Sequence, residues 1–207
     1  MDDLVSKGLK PIKKLVEIAI DGMGQLVSAR TLAHEYLSDR RFVDDHARVN
    51  SLIRWEASKN FGSGFVAGLG GLIMLPASIP GALVVSWIIQ ARMSAAIAII
   101  YGNDIEDDRV RTLVFLSIIG DSVKEFLKQA GITLGSKLTE QIIKKIPGRI
   151  LIEINKKAGF RLITKAGQKG VFNLIKAVPI AGGIAGGSID AASCYSVGKA
   201  AKCLFAA

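Results

Sequence analysis

Residues 60–91 read NFGSGFVAGLGGLIMLPASIPGALVVSWIIQA, 32 consecutive positions without a charged side chain. Spanning a hydrocarbon layer of about 30 Å takes roughly 20 apolar helical residues, so the run is long enough for one span. Pro76 and Pro80 divide it into Phe61–Leu75 and Gly81–Ile100, which predicts a helical hairpin, because proline interrupts the helical hydrogen-bond ladder. At 1.5 Å per residue the first limb reaches only about 22 Å. The hairpin is therefore expected either at the centre of an all-α domain or inserted in lipid, and the sequence leaves both open.

Glycine placement bears on how the hairpin packs. Gly62, Gly64, Gly68, Gly70 and Gly71 fall inside the first limb, where each costs about 1 kcal/mol relative to alanine. Close approach of a neighbouring helix offsets such a cost when small residues stand four apart, as Gly64 and Gly68 do. The spacing recurs near the C-terminus in PIAGGIAGGSIDAAS, through Gly182 with Gly186 and Gly183 with Gly187. The two glycine-rich segments are expected to pack on each other, or each on a bulkier helix.

Outward from the hairpin, apolar residues keep a helical period. Leu4, Val5, Leu9, Ile12, Leu15, Val16, Ala19, Ile20, Met23 and Leu26 predict an amphipathic segment over residues 1–30, ahead of a helical domain over 31–207. Thr31–Tyr36 fits a short helix before the polar turn at Ser38-Asp39-Arg40-Arg41, and Val49, Leu52, Ile53 and Ala57 form the apolar face of another. Asn103 and Asp104 are placed to cap a helix whose first turn holds Glu106, Asp107 and Asp108. That helix is predicted to run to Gly131. Leu138–Ile146, Ile150–Ala158 and Val171–Val178 are shorter helical candidates; the alternation of Ile150, Ile152 and Ile154 also admits a strand. The predicted fold is all-α, a single helical domain around a central glycine-rich hydrophobic hairpin.

Composition sets the outer bounds. The chain has 207 residues, half of them hydrophobic, with a mean hydropathy of +0.37. That is enough for one sizeable core and excludes a disordered chain. Cys194 and Cys203 are nine apart, about 13.5 Å along a helix, too far for a disulfide. Two cysteines in such a chain point to a reducing compartment, and the start Met1-Asp2-Asp3-Leu4 carries acid where a leader carries Lys or Arg. A cytoplasmic protein is expected. Trp55 and Trp87 suit either a membrane interface or a core.

The formal net charge of +9 is unevenly spread. Residues 1–60 hold ten basic and nine acidic side chains, whereas residues 131–178 hold ten basic and two acidic, a local net of +8. Such a surface has a direction, and hence a class of partner. Nucleic acid is disfavoured, since only Phe160 and Phe172 are available for stacking there and no binding module is recognisable. Anionic lipid fits better: Ile142, Ile143, Ile146, Ile150, Leu151, Ile154, Leu162 and Ile163 interleave with Lys and Arg as in interfacial helices. Lys137, Lys144, Lys145, Arg149, Lys156, Lys157, Arg161, Lys165 and Lys169 are the candidate lipid contacts, each contributing about 1 kcal/mol near an acidic leaflet.

No constellation declares a reaction. Gly62-Ser63-Gly64-Phe65-Val66-Ala67 matches G-x-G-x-x-A, but it follows a predicted helix where a dinucleotide site needs a strand. Gly198-Lys199-Ala200 is the nearest phrase to a P-loop and lacks the upstream glycine and the hydroxyl. His34 and His46, the two histidines, are twelve apart, outside the spacing of helix-borne zinc ligands. His46, beside Asp44 and Asp45, reads as a helix-start residue. Asp190 follows the uncharged run Pro179–Ile189, and an acid there needs a donor, solvent or a raised pKa. No metal or cofactor is expected, although Asp104, Asp107, Asp108 and Asp190 form a possible polar site.

Gly62–Glu125, GSGFVAGLGGLIMLPASIPGALVVSWIIQARMSAAIAIIYGNDIEDDRVRTLVFLSIIGDSVKE, the Lys- and Ile-rich stretch after it and the closing VPIAGGIAGGSIDAASCYSVGKAAKCLF resemble, in this order, the EcsC protein family of bacteria. The resemblance covers about residues 30–205. Ile79-Pro80, Gln90-Ala91-Arg92, Asp107-Asp108-Arg109-Val110 and Gly182-Gly183 with Asp190 look like the family's characteristic positions; Gly81 stands where the pattern usually has alanine. The resemblance implies a membrane-associated helical protein and supplies no reaction. The family is named for a gene beside those of an ABC transporter, which implies a membrane protein of that kind as a partner. The closing segment is also similar to the glycine-rich tail of some bacterial membrane GTPases, but no GTPase motif precedes it.

The expected function is that of a non-enzymatic accessory or adaptor protein on anionic inner-leaflet lipid, peripheral to or partly inserted in the membrane. The alternatives are a membrane-inserting effector using the hairpin and an enzyme with a divalent-cation site built from the acidic cluster.

Overall fold

Ser28 starts helix α1 (Ala29–Ser38) by accepting the Thr31 backbone N–H on its hydroxyl at 3.0 Å, one of the donors a helix start leaves unsatisfied. The computed structural model describes residues 14, 16–22, 26–61, 81–120, 123–129, 143, 146–156 and 181–206. Five further helices follow: α2 (Asp45–Phe61), α3 (Gly81–Ile100), α4 (Asp108–Ser117), α5 (Val123–Gln129) and α6 (Ala181–Phe205). Residues 16–21 and 148–156 are also helical, and no β-strand occurs among the described residues. The protein is an all-α single domain.

Helix α3 is the hub. It packs against α1, α2, α4 and α6, and every residue from Val85 to Ala98 is buried. A helix surrounded in this way needs no polar stripe, which explains a sequence apolar on all sides. Its end is closed by a Schellman turn, in which the Asn103 and Gly102 N–H groups donate to Ala98 O and Ile99 O, both at 2.9 Å. From Val85 to Ala98 the second limb of the predicted hairpin is thus enclosed by protein. Phe61 ends α2, and the rest of the first limb, with Gly64, Gly68, Pro76 and Pro80, lies outside the described residues. Among the described residues no helix is long and apolar enough to cross a membrane.

Helices α1, α2, α4 and α6 pack on this hub. Val49, Leu52, Ile53 and Ala57 of α2 are buried as their spacing predicts. Asp44 opens that helix by accepting from Ala47 N at 2.6 Å. Val16, Ala19, Ile20 and Leu26, from the segment expected over residues 1–30, belong to the same core. Residues 148–156 are helical, so the strand alternative for Ile150–Ile154 falls away; Ile154 enters the core, and the Arg109 guanidinium Nε donates to Ile146 O at 3.3 Å. The predicted segments Leu138–Ile146 and Val171–Val178 lie wholly or mostly outside the described residues.

Two expectations for the stretch after Ile100 need correction. The cap of α4 is Asp107, which accepts from Arg109 N at 2.7 Å; Asn103 is instead buried, donating to Ala98 O and Phe205 O at 3.2 and 3.5 Å. The helix also does not continue to Gly131. Its end tightens through i→i+3 bonds at Ile118 and Ile119, Gly120 then takes a left-handed φ of +68°, and α5 starts at Val123. That left-handed backbone favours glycine, and a Cβ there would also require the Ser196 hydroxyl of α6 to turn away.

Candidate functional site

The uncharged appearance of the hub conceals three polar tethers. Gln90 Nε2 donates to Ser193 Oγ of α6 at 3.4 Å and to Ser86 Oγ at 3.1 Å. Arg92 Nη2 donates to Glu56 Oε2 of α2 at 2.7 Å, with side chains 6% and 0% exposed. Ser117 Oγ of α4 donates to Ser94 Oγ at 2.7 Å. At 100° per residue, Gln90 and Ser94 share one side of α3 and Arg92 faces the other. A helix apolar on every side has no preferred rotation against its neighbours, and these contacts supply one. The Glu56–Arg92 pair escaped the sequence reading because its members are 36 residues apart; the available signal was Arg92 itself, a lone charge in an apolar helix, which demands a buried counter-ion.

The acidic cluster is occupied with structure. Asp104 accepts from Glu106 N at 2.9 Å, and Asp107 caps α4 and faces Arg109 at 3.6 Å. Glu106 pairs with Arg30 of α1 and, at 2.6 Å, with Arg111, whose Nε donates to Ile105 O. Asp108 is exposed and borders a cavity of about 330 Å³ with Glu17, Arg111, Thr112 and Asn155. Asp190 is half-buried on α6. Among the described residues no three His, Cys, Asp or Glu side chains converge to hold a metal ion.

Of the candidate lipid contacts, Arg149 and Lys156 are described, and both are exposed. They stand on the helix of residues 148–156 with Ile152, which is 61% exposed. Spacings of three and four residues put all three on one face, opposite the buried Ile154. Lys137, Lys144, Lys145, Lys157, Arg161, Lys165 and Lys169 lie outside the described residues. Gly182, Gly183, Gly186 and Gly187 are in the first turns of α6, which packs on α2, α3 and α4. Trp87 is core, Trp55 is 56% exposed on α2, Cys194 is buried and Cys203 half-buried, and neither cysteine is in a disulfide.

His46, in the first turn of α2 as expected, meets the Tyr101 hydroxyl through Nδ1 at 2.8 Å. Burial first, and then the carboxylates of Asp45 and Asp44, push the Tyr101 pKa from 10.0 up to about 12. The folded chain therefore holds this proton more tightly than the unfolded one. The associated stability is complete below pH 10 and is lost as pH rises towards 12. Absorbance titration of the phenols should show a step near pH 12 that disappears in Tyr101→Phe; its survival in that variant would assign it to another tyrosine. Set against protein-family models, curated proteins and solved structures, the chain finds no match in any of the three.

Proposed function

We propose that the protein is a non-enzymatic accessory protein of the EcsC kind, held at anionic inner-leaflet lipid by its basic stretch and acting there on a membrane partner. The observation that supports this is the face of residues 148–156, where exposed Ile152 is flanked by exposed Arg149 and Lys156. An apolar side chain between cations at helical spacing can enter the headgroup boundary while the cations meet lipid phosphate. The net of +8 over residues 131–178 extends the same attraction.

Vesicle flotation tests the reading. Binding should require anionic lipid and weaken with salt, because the Debye length falls from about 10 Å at 0.1 M to about 3 Å at 1 M. Arg149→Gln/Lys156→Gln removes two contributions of about 1 kcal/mol each, roughly thirtyfold in partition. Equal binding to zwitterionic vesicles, or indifference to salt, would refute it. The enclosure of Val85–Ala98 by four helices favours this peripheral mode over insertion of the hairpin.

A further inference from the structure

Helices α2 and α6 come together at Gly198, where an added Cβ would stand 2.7 Å from Ile53 Cγ1. This close approach brings two rows of side chains to the rim of one cleft. Asn50 and Arg54 are a helical turn apart on α2, while Tyr195, Lys199 and Lys202 recur at spacings of four and three on α6. Together with Ile53 they line a cavity of about 310 Å³ that has no carboxylate in its wall.

The cations are held in position without being neutralised. Lys202 Nζ donates to Asn50 Oδ1 at 2.8 Å, and Lys199 Nζ lies 4.9 Å from the centre of the Tyr195 ring. Arg30, Arg41, Arg48, Arg92, Arg109 and Arg111 all have carboxylate partners. Among the described residues Arg54, Lys199 and Lys202 have none. Three cations converging on one cleft without a counter-ion create a local positive potential. A guanidinium fork beside two ammonium groups suits the oxygens of a phosphate.

We propose that the cleft between α2 and α6 binds a phosphate group through Arg54, Lys199 and Lys202, with Asn50 orienting Lys202 and Tyr195 orienting Lys199. The site lies outside the basic stretch of residues 131–178 and stands on its own geometry. A lipid headgroup and a free phosphate ester present the same chemistry to it.

The test uses the full chain, isotopically labelled and followed by amide chemical shifts. Inorganic phosphate is added in one arm; in the other, vesicles of phosphatidylcholine with or without phosphatidic acid. Saturable shifts at Asn50, Arg54, Gly198 and Lys199 with inorganic phosphate support the proposal with a free ester as ligand, and shifts only with phosphatidic acid support it with a headgroup. Lys199→Gln/Lys202→Gln should weaken the response about tenfold or more, with circular dichroism confirming an unchanged fold. Lys128→Gln, at an exposed position on α5 outside the cleft, should leave it unchanged. No saturable shift in either arm, or an equal loss in Lys128→Gln, overturns the site. Flotation of the Arg149→Gln/Lys156→Gln variant reads the docking face separately, so either reading can fail without the other.

Discussion

Replacing Arg92 by methionine will lower the stability of the domain by about 3–5 kcal/mol, as expected when one member of a buried ion pair is removed. The carboxylate of Glu56 is wholly enclosed and receives the Arg92 guanidinium at 2.7 Å. Without that cation, the carboxylate loses its partner at 2.7 Å in a medium that solvates charge poorly. Glu56→Met alone should cost a similar amount by stranding the guanidinium. The double variant Glu56→Met/Arg92→Met should recover most of the loss, because apolar residues of similar volume commonly match or exceed a buried pair in stability. Urea unfolding of the four proteins closes the cycle, and an Arg92→Met loss below about 1 kcal/mol would show the pair to be already solvated. The same pair opposes insertion of α3: transfer to lipid would separate Arg92 from Glu56 and place it in hydrocarbon, at about 2.5–3.5 kcal/mol on insertion scales.

Sequence legibility followed the range of the contacts involved. The limits of α3 could be read directly, because Pro80 precedes Gly81 and the apolar run ends at Ile100. The buried face of α2 could be read from the period of Val49, Leu52, Ile53 and Ala57. These features are local. Asn103 was misjudged because its chain-internal signal, a polar residue before an acidic turn, is that of a cap, whereas its carbonyl partner at Phe205 is 102 residues away. The break at Gly120 was hidden for a related reason: a lone glycine is tolerated in a helix, and Ser196 occupies the space that a side chain would need.

For the candidate sites, charge counting sees only what is close in sequence. It marked residues 131–178 and passed over the cleft of α2 and α6, whose Asn50–Lys202 contact spans 152 residues. Composition within a window cannot register cations that only the tertiary fold assembles. The acidic cluster likewise takes its surroundings from distant parts of the chain. Four acids within five positions look like a site until Arg30, Arg109 and Arg111 are placed beside Glu106 and Asp107.

Gly198→Ala will be destabilising even though alanine is the better helix former, and the reason is specific to Ile53. Helix propensity favours the substitution by about 1 kcal/mol. Against it, the new Cβ would stand 2.7 and 2.8 Å from Ile53 Cγ1 and Cγ2 and 3.2 Å from its Cβ. These atoms sit on the branch of a side chain only 3% exposed, so relief requires movement of α2 itself, and overpacking of this kind costs about 1–3 kcal/mol. Ile53→Ala should cost about 2–5 kcal/mol by leaving a cavity. In that background Gly198→Ala meets no γ carbons and partly fills the space, so its effect should change sign and become stabilising. Denaturant midpoints of the four proteins decide the matter. A stabilising Gly198→Ala in the parent chain would mean that α2 and α6 are not in close contact there, whereas an equal loss in both backgrounds would assign the constraint to a neighbour other than Ile53.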